Sequence, residues 1–186
     1  KFVNGKMIFL QGSPVLEDRN GLKVGRLSGI SAHFVPNYLQ KNRLPSYETN
    51  IIEDWETKVN RVVEETVKAD MTLISGIPPW LIMYFERLIQ VSGKENVQAI
   101  FKNLDLMVTG GVNYEPYREK INQLIGRNIP CIQTYPASEG FIAYQNTQDS
   151  EDLLLLLNNG IFYEFIAVEE FFDENPTRIS LKDVEL

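Results

Sequence analysis

The chain is 186 residues long, with 18 Lys plus Arg against 25 Asp plus Glu, a formal net charge of -7, 44% hydrophobic and 23% charged residues. These are the proportions of a globular domain, and an acidic chain with no Lys/Arg cluster interleaved with aromatics argues against nucleic-acid binding. One Cys, Cys131, and one His, His33, exclude an internal disulfide and a Cys/His zinc site, fit a reducing cytoplasm, and leave oxygen ligands for any metal.

The chain opens on Lys1, Phe2, Val3, Asn4 and Gly5, without an initiator Met or the apolar core of a signal peptide, so a piece of a larger protein is expected. A hairpin-like β region comes next: a strand at 7–10, a break at Ser13-Pro14, then a tight turn at Asn20-Gly21. Residues 28–54 carry Pro36, Pro45 and no clear period, which predicts an irregular connection. Trp55, Val59, Val62, Val63 and Val67 then fall on one face of a helix that Asp54 is placed to cap.

A strand at 71–74 leads to a second helix, opened by Pro78-Pro79 and stopped by Ser92-Gly93. Its residues are apolar nearly all round, so burial is expected on every side. A short helical segment at 95–101 precedes a strand at 104–108. Pro116 then starts a helix with Tyr117, Ile121, Leu124 and Ile125 on one face, Gly126 ends it, and a strand at 131–135 comes after it. Strand, helix, strand, helix, strand with crossovers of this length predicts an α/β fold: a central parallel β-sheet with flanking helices plus β-hairpins. Residues 153–157, the turn Asn158-Asn159-Gly160 and residues 161–168 read as a last hairpin. Residues 151–174 hold seven acidic residues and no Lys or Arg, read as a solvated face. The longest aliphatic run, 153–157, is far short of the ~18 residues that span a bilayer, so no membrane partner is expected.

In an open α/β sheet, ligands bind beyond the carboxyl ends of the strands. The three exits are Ser75-Gly76-Ile77-Pro78-Pro79, Thr109-Gly110-Gly111-Val112-Asn113 and Tyr135-Pro136-Ala137-Ser138-Glu139-Gly140, all rich in small residues that let a ligand approach the backbone. Ordinary strand-to-helix turns use the same residues, so each exit alone is ambiguous. Glu139 among small donor-bearing residues suits a hard cation such as Mg²⁺, and an ordinary surface glutamate is the alternative. A serine hydrolase built on Ser138 lacks the Gly-x-Ser-x-Gly elbow and has only His33 as base. Neither a Gly-x-x-x-x-Gly-Lys-Ser/Thr loop nor a Gly-x-Gly-x-x-Gly run occurs.

The third exit, Tyr135-Pro136-Ala137-Ser138-Glu139, resembles the Tyr-x-x-(Ser/Thr)-Glu adenylate-binding motif of acyl-adenylate-forming enzymes. Together with Gly110-Gly111 upstream, Gly25-Arg26-Leu27-Ser28-Gly29-Ile30 and Tyr163-Glu164-Phe165-Ile166, it resembles the GH3 auxin-responsive promoter family of acyl acid amido synthetases, over roughly residues 2–172. The resemblance implies part of the large catalytic domain of an ATP-dependent ligase. Such an enzyme turns a carboxylic acid and ATP into an acyl-adenylate and pyrophosphate, then passes the acyl group to an amine or amino acid, with Mg²⁺ neutralising charge.

The resemblance further implies that Glu139 faces Mg²⁺ and the phosphates and that Ser138 and Ala137 line the phosphate and adenine region. Tyr135 would flank the base, with Pro136 beside it among the nucleotide-binding positions, and Gly110, Gly111 and Val112 would form the opposite wall near adenine. Ile77 and Trp80 are the candidates for the acyl pocket. The family's phosphate loop and ribose-holding aspartate segment have no counterpart in this sequence, and Pro136 replaces the small residue usual there, so turnover by this stretch alone is not expected. A non-catalytic binding or oligomerisation module on the same scaffold is the alternative. The acid, the amine and the oligomeric state are not specified by these residues.

Overall fold

The Asp54 side chain accepts a hydrogen bond from the Thr57 N–H (2.8 Å), satisfying a donor that a helix start leaves unpaired. Pro occupies the first turn of two further helices, where its missing N–H costs no intrahelical bond. Around these starts the computed structural model describes residues 4–184. In chain order the elements are β1 (Lys6–Leu10), β2 (Glu17–Arg19), β3 (Leu22–Val24), α1 (Leu27–His33), α2 (Asn37–Gln40), β4 (Arg43–Leu44), α3 (Tyr47–Asn50) and α4 (Trp55–Thr66). They continue as β5 (Met71–Gly76), α5 (Pro78–Ser92), β6 (Leu106–Gly110), α6 (Glu115–Ile125), β7 (Cys131–Ala137), β8 (Gly140–Tyr144), β9 (Leu154–Leu155), β10 (Glu164–Phe165) and β11 (Ile179–Ser180).

The fold is α/β. One seven-stranded sheet runs β4-β1-β5-β6-β7-β8-β9, with β4, β1, β5, β6 and β7 parallel and β8 and β9 added antiparallel in turn. Two small antiparallel pairs, β2-β3 and β10-β11, stand apart from it. The core lies between this sheet and α4, α5 and α6: Ile8, Ile74 and Met107 of the strands meet Val62, Leu81, Phe85, Leu88 and Ile121, all fully buried. Tyr84 is buried too, and its hydroxyl pairs with Thr66 Oγ1 at 2.7 Å, so its polar end is satisfied inside the core.

Several expectations are corrected. The strand at 7–10 does not pair with the segment after Ser13-Pro14; it is β1, an inner strand parallel to β5 and β4, while Asn20-Gly21 joins β2 to β3 instead. Its residues are buried on both faces of the sheet in the way a parallel strand requires, which a local reading of turn signals cannot reveal. The supposedly irregular 28–54 stretch holds three short helices and β4. Residues 95–101 form turns rather than a helix, because the Val97 and Gln98 N–H groups donate to the carbonyls of Leu124 and Ile125 at the end of α6.

The last hairpin does not form either. Leu154 and Leu155 pair with β8 and Glu164 and Phe165 with β11, so both strands find partners other than each other. Helix α5 buries one side and leaves Met83 and Val91 exposed, not every side. Leu124 is half-buried, whereas Ile121 and Ile125 carry the packed face of α6. No helix among the described residues is long and apolar enough to cross a membrane. Phe2, where the family resemblance begins, lies outside the described residues.

Candidate functional site

Strands β6 and β7 are parallel neighbours with Gly110 opposite Thr134, so their exits emerge side by side at the same end of the sheet. The Thr134 hydroxyl donates to the Thr109 carbonyl (2.8 Å), tying the exits together. A Cβ on Gly110 would collide with Thr134 Oγ1 and would lie 2.8 Å from the Thr134 carbonyl and 3.3 Å from Pro136 Cδ. Only glycine permits that approach. Gly111 sits at φ 82°, a conformation that any side chain would strain. The turn then carries Val112 and Asn113 outward, and the Asn113 side chain accepts from the Glu115 N–H at 3.0 Å to lead into α6.

Beyond these exits lies a cavity of about 660 Å³, lined on one side by Gly111, Val112 and Asn113 and on the other by Gln133, Thr134, Tyr135 and Pro136. Tyr135 is 55% exposed and Val112 45%, so a flat ring and an apolar side chain stand free at its mouth. The floor carries Glu115 and Glu151, both held by Arg118 at 2.7 and 2.6 Å, and Gln133 donates to Glu151 at 2.5 Å. Burial pulls the Arg118 guanidinium down, yet these two carboxylates outweigh it and raise it above its usual value. Arg118 also lies over the Tyr114 ring, 4.9 Å from its centroid, and burial pushes the Tyr114 phenol up to about 12. Burial likewise raises the Cys131 thiol, which disfavours the thiolate.

The third exit is not a strand-to-helix turn: Ser138 and Glu139 form the tight turn of the β7-β8 hairpin. Ala137 and Ser138 line a second cavity of about 610 Å³ with Leu27, Ser28, Ser31, Gly140 and Phe141, and Pro136 borders both cavities. The two sequence segments singled out around Ser28 and Ser138 thus meet in space, placing three serine hydroxyls in one depression. Glu139 is exposed, makes no hydrogen bond or ion pair among the described residues, and lines neither cavity.

The two acyl-pocket candidates part company. Ile77 reaches the β6 exit, where a Cβ on Gly111 would lie 3.2 Å from Ile77 Cγ2. Trp80, one turn along α5, lines a different cavity and stacks on Trp55 with ring centroids 4.8 Å apart. His33 meets the Pro14 carbonyl at 3.1 Å and shares no cavity with Ser138, so the hydrolase constellation is not assembled. Glu115, Gln133, Thr134, Glu151 and Leu153 were missed as lining residues. Gln133 and Thr134 precede the motif on its own strand and were within reach, whereas Glu151 arrives from the loop after β8, which no local pattern predicts.

No cluster of three or more His, Cys, Asp or Glu side chains able to hold a metal ion occurs among the described residues; Glu115 and Glu151 are the carboxylates of the cavity, both bound to Arg118, and Glu139 stands outside it. No protein-family model matches this sequence, and no curated protein does either.

Proposed function

We propose that this chain carries the nucleotide-binding walls of an ATP-dependent ligase that activates a carboxylic acid as an acyl-adenylate and transfers it to an amine or amino acid. The observation that carries the reading is the cavity in which Gly111 and Val112 oppose Tyr135 and Pro136, with Gly110 pressed against Thr134 so closely that no side chain fits. A planar base is accommodated by an apolar wall and an exposed aromatic ring, and backbone without side chains lets it sit close. Ser28, Ser31 and Ser138 in the adjoining depression offer hydroxyl donors to phosphate oxygens.

In this reading Tyr135 and Val112 orient the adenine, and Ser138 orients the phosphate at which the acid attacks. Glu139 would help to hold Mg²⁺, which when bound supplies charge neutralisation as pyrophosphate leaves. No Lys or Arg lines the nucleotide cavity, so positive charge at the phosphates would have to come from Mg²⁺. Titration of the folded chain with AMP, followed by calorimetry, tests the reading: saturable binding is expected, and its absence from a protein with an intact circular-dichroism spectrum would reject it.

One observation favours a second reading. Glu139 lies on an exposed turn outside both cavities, as it would in a module that binds nucleotide without turning it over. That reading expects ATP affinity to be indifferent to Mg²⁺ and to Glu139→Gln, whereas the ligase reading expects both to matter.

A further inference from the structure

A third cavity, about 730 Å³, lies beside β1 and α4 and shares no lining residue with the nucleotide cavity. Lys58 lines it. The side chain sits on the core-facing side of α4, where Lys58 is only 4% exposed. Its ammonium donates to the carbonyls of Asn50 (2.7 Å) and Gln11 (3.1 Å), leaving the third of its donors without a protein partner, and no carboxylate lies within ion-pair distance among the described residues. A buried ammonium without a counter-charge is costly, and proteins normally pair it.

The surroundings compound the imbalance. The guanidinium of Arg26 lines the same cavity, approaching Gly12 without a hydrogen-bond or ion-pair partner among the described residues. It is close enough to Lys58 that, after burial, it is the second influence depressing the lysine's proton affinity. Of the other charged groups lining the cavity, Arg19 and Glu17 are paired with each other at 2.8 Å, and Glu53 is the remaining carboxylate. Two more lining residues carry buried N–H groups with no acceptor, Gln11 Nε2 and Trp55 Nε1. With the Arg19–Glu17 pair set aside, two cations, one carboxylate and two unanswered N–H donors among the described residues border one space, which leaves an excess of positive charge.

We propose that this cavity is a binding site for a small oxyanion, a carboxylate or phosphate group, held by the Lys58 ammonium and the Arg26 guanidinium. Such a group supplies a counter-charge to Lys58, separates two like charges, and offers acceptor oxygens on the side of the cavity where the Gln11 and Trp55 N–H groups have none. The stacked Trp55 and Trp80 rings form an adjoining wall, against which the apolar part of an organic anion packs. The cavity shares Trp80 with the acyl pocket that the family resemblance implies, but the proposal does not rest on adenylation, because no nucleotide and no residue of the nucleotide cavity enters it.

The test is thermal unfolding and calorimetric titration of the chain with sodium phosphate and with sodium acetate, each against sodium chloride at equal ionic strength. Saturable binding and a rise in Tm with either anion, beyond chloride, are expected. A response to phosphate alone assigns a phosphate group as the ligand's anionic end, and a response to acetate alone a carboxylate. Lys58→Met and Arg26→Gln should each weaken binding by about tenfold or more, as removal of a charged hydrogen-bonding partner does. If Lys58→Met fails to fold, Arg26→Gln, on an exposed residue, decides by itself. No binding of either anion by the folded chain, or binding unchanged in every folded variant, overturns the proposal.

Discussion

The cavity at the β6 and β7 exits and the cavity beside Lys58 are of similar size but are built by opposite means. The first is built around Gly111 and Pro136, where little side chain intrudes between Val112 and Tyr135, and its two carboxylates, Glu115 and Glu151, share the single cation Arg118. The second is made of charge, with a buried ammonium held only by two carbonyls and an exposed guanidinium, neither of them paired with a carboxylate among the described residues. A site of backbone shape is visible as a string of unusual residues. A site of unpaired charge is visible only when the partners that are missing can be counted. Helix α5 links them, since Ile77 before it touches the β6 exit and Trp80 on it lines the second cavity.

The broadest way to break the comparison is to loosen that link. Phe85 is fully buried on α5, and Phe85→Ala should cost about 3 to 5 kcal/mol in urea denaturation, weakening nucleotide and anion binding together. Loss of one binding activity alone would show that α5 does not support both. Next in size, Glu139→Gln in the protein that carries this chain should lower acid-dependent exchange between pyrophosphate and ATP by ~10²-fold. Folding and AMP binding should stay as they are, because Glu139 is exposed and makes no hydrogen bond or ion pair among the described residues. Unaltered exchange would remove Glu139 from the chemistry.

A sharper cut is Gly110→Ala, which forces a methyl group against Thr134 and Pro136 and should cost about 1 to 3 kcal/mol while abolishing AMP binding and sparing anion binding. The smallest effect is in pH. Burial, and then Arg26, lower the folded-state proton affinity of Lys58 below its ordinary value of 10.5, so the unfolded chain holds that proton to higher pH. Stability contributed through this group therefore rises as pH climbs through the folded value towards 10.5, and Lys58→Met should flatten that rise in the urea midpoint. A saturating oxyanion should flatten it too.

Much of the parallel sheet was legible because its elements declare themselves locally. The Trp55, Val59, Val62 and Val63 stripe, the Asp54 cap, and Pro and Gly at the ends of α5 and α6 each arise from chain-neighbour physics. The features that escaped depend on partners far along the chain. Met7 to Leu10 became an inner strand because β5 lies beside it more than sixty residues later, and Leu154 joined β8 rather than the segment beyond its own turn. The exits at Gly110 and Tyr135 could be read from residue size, but not that the Ser138-Glu139 turn leads into a strand. Lys58 was hidden in plain view: it lies three residues after Trp55 and four before Val62, on the apolar stripe, where a long stem usually carries its charge out to water. The carbonyls of Asn50 and Gln11 hold it inside instead.

Backbone amide NMR of the ¹⁵N-labelled chain titrated with AMP separates the two cavities in one measurement. Saturable shifts should cluster at residues 110–112 and 134–138, with little change around Gln11, Arg26 and Lys58. A folded chain whose amides at 110–112 and 134–138 remain unmoved at millimolar AMP, or whose shifts gather around Lys58 instead, would contradict the assignment of the β6 and β7 exits as a nucleotide site.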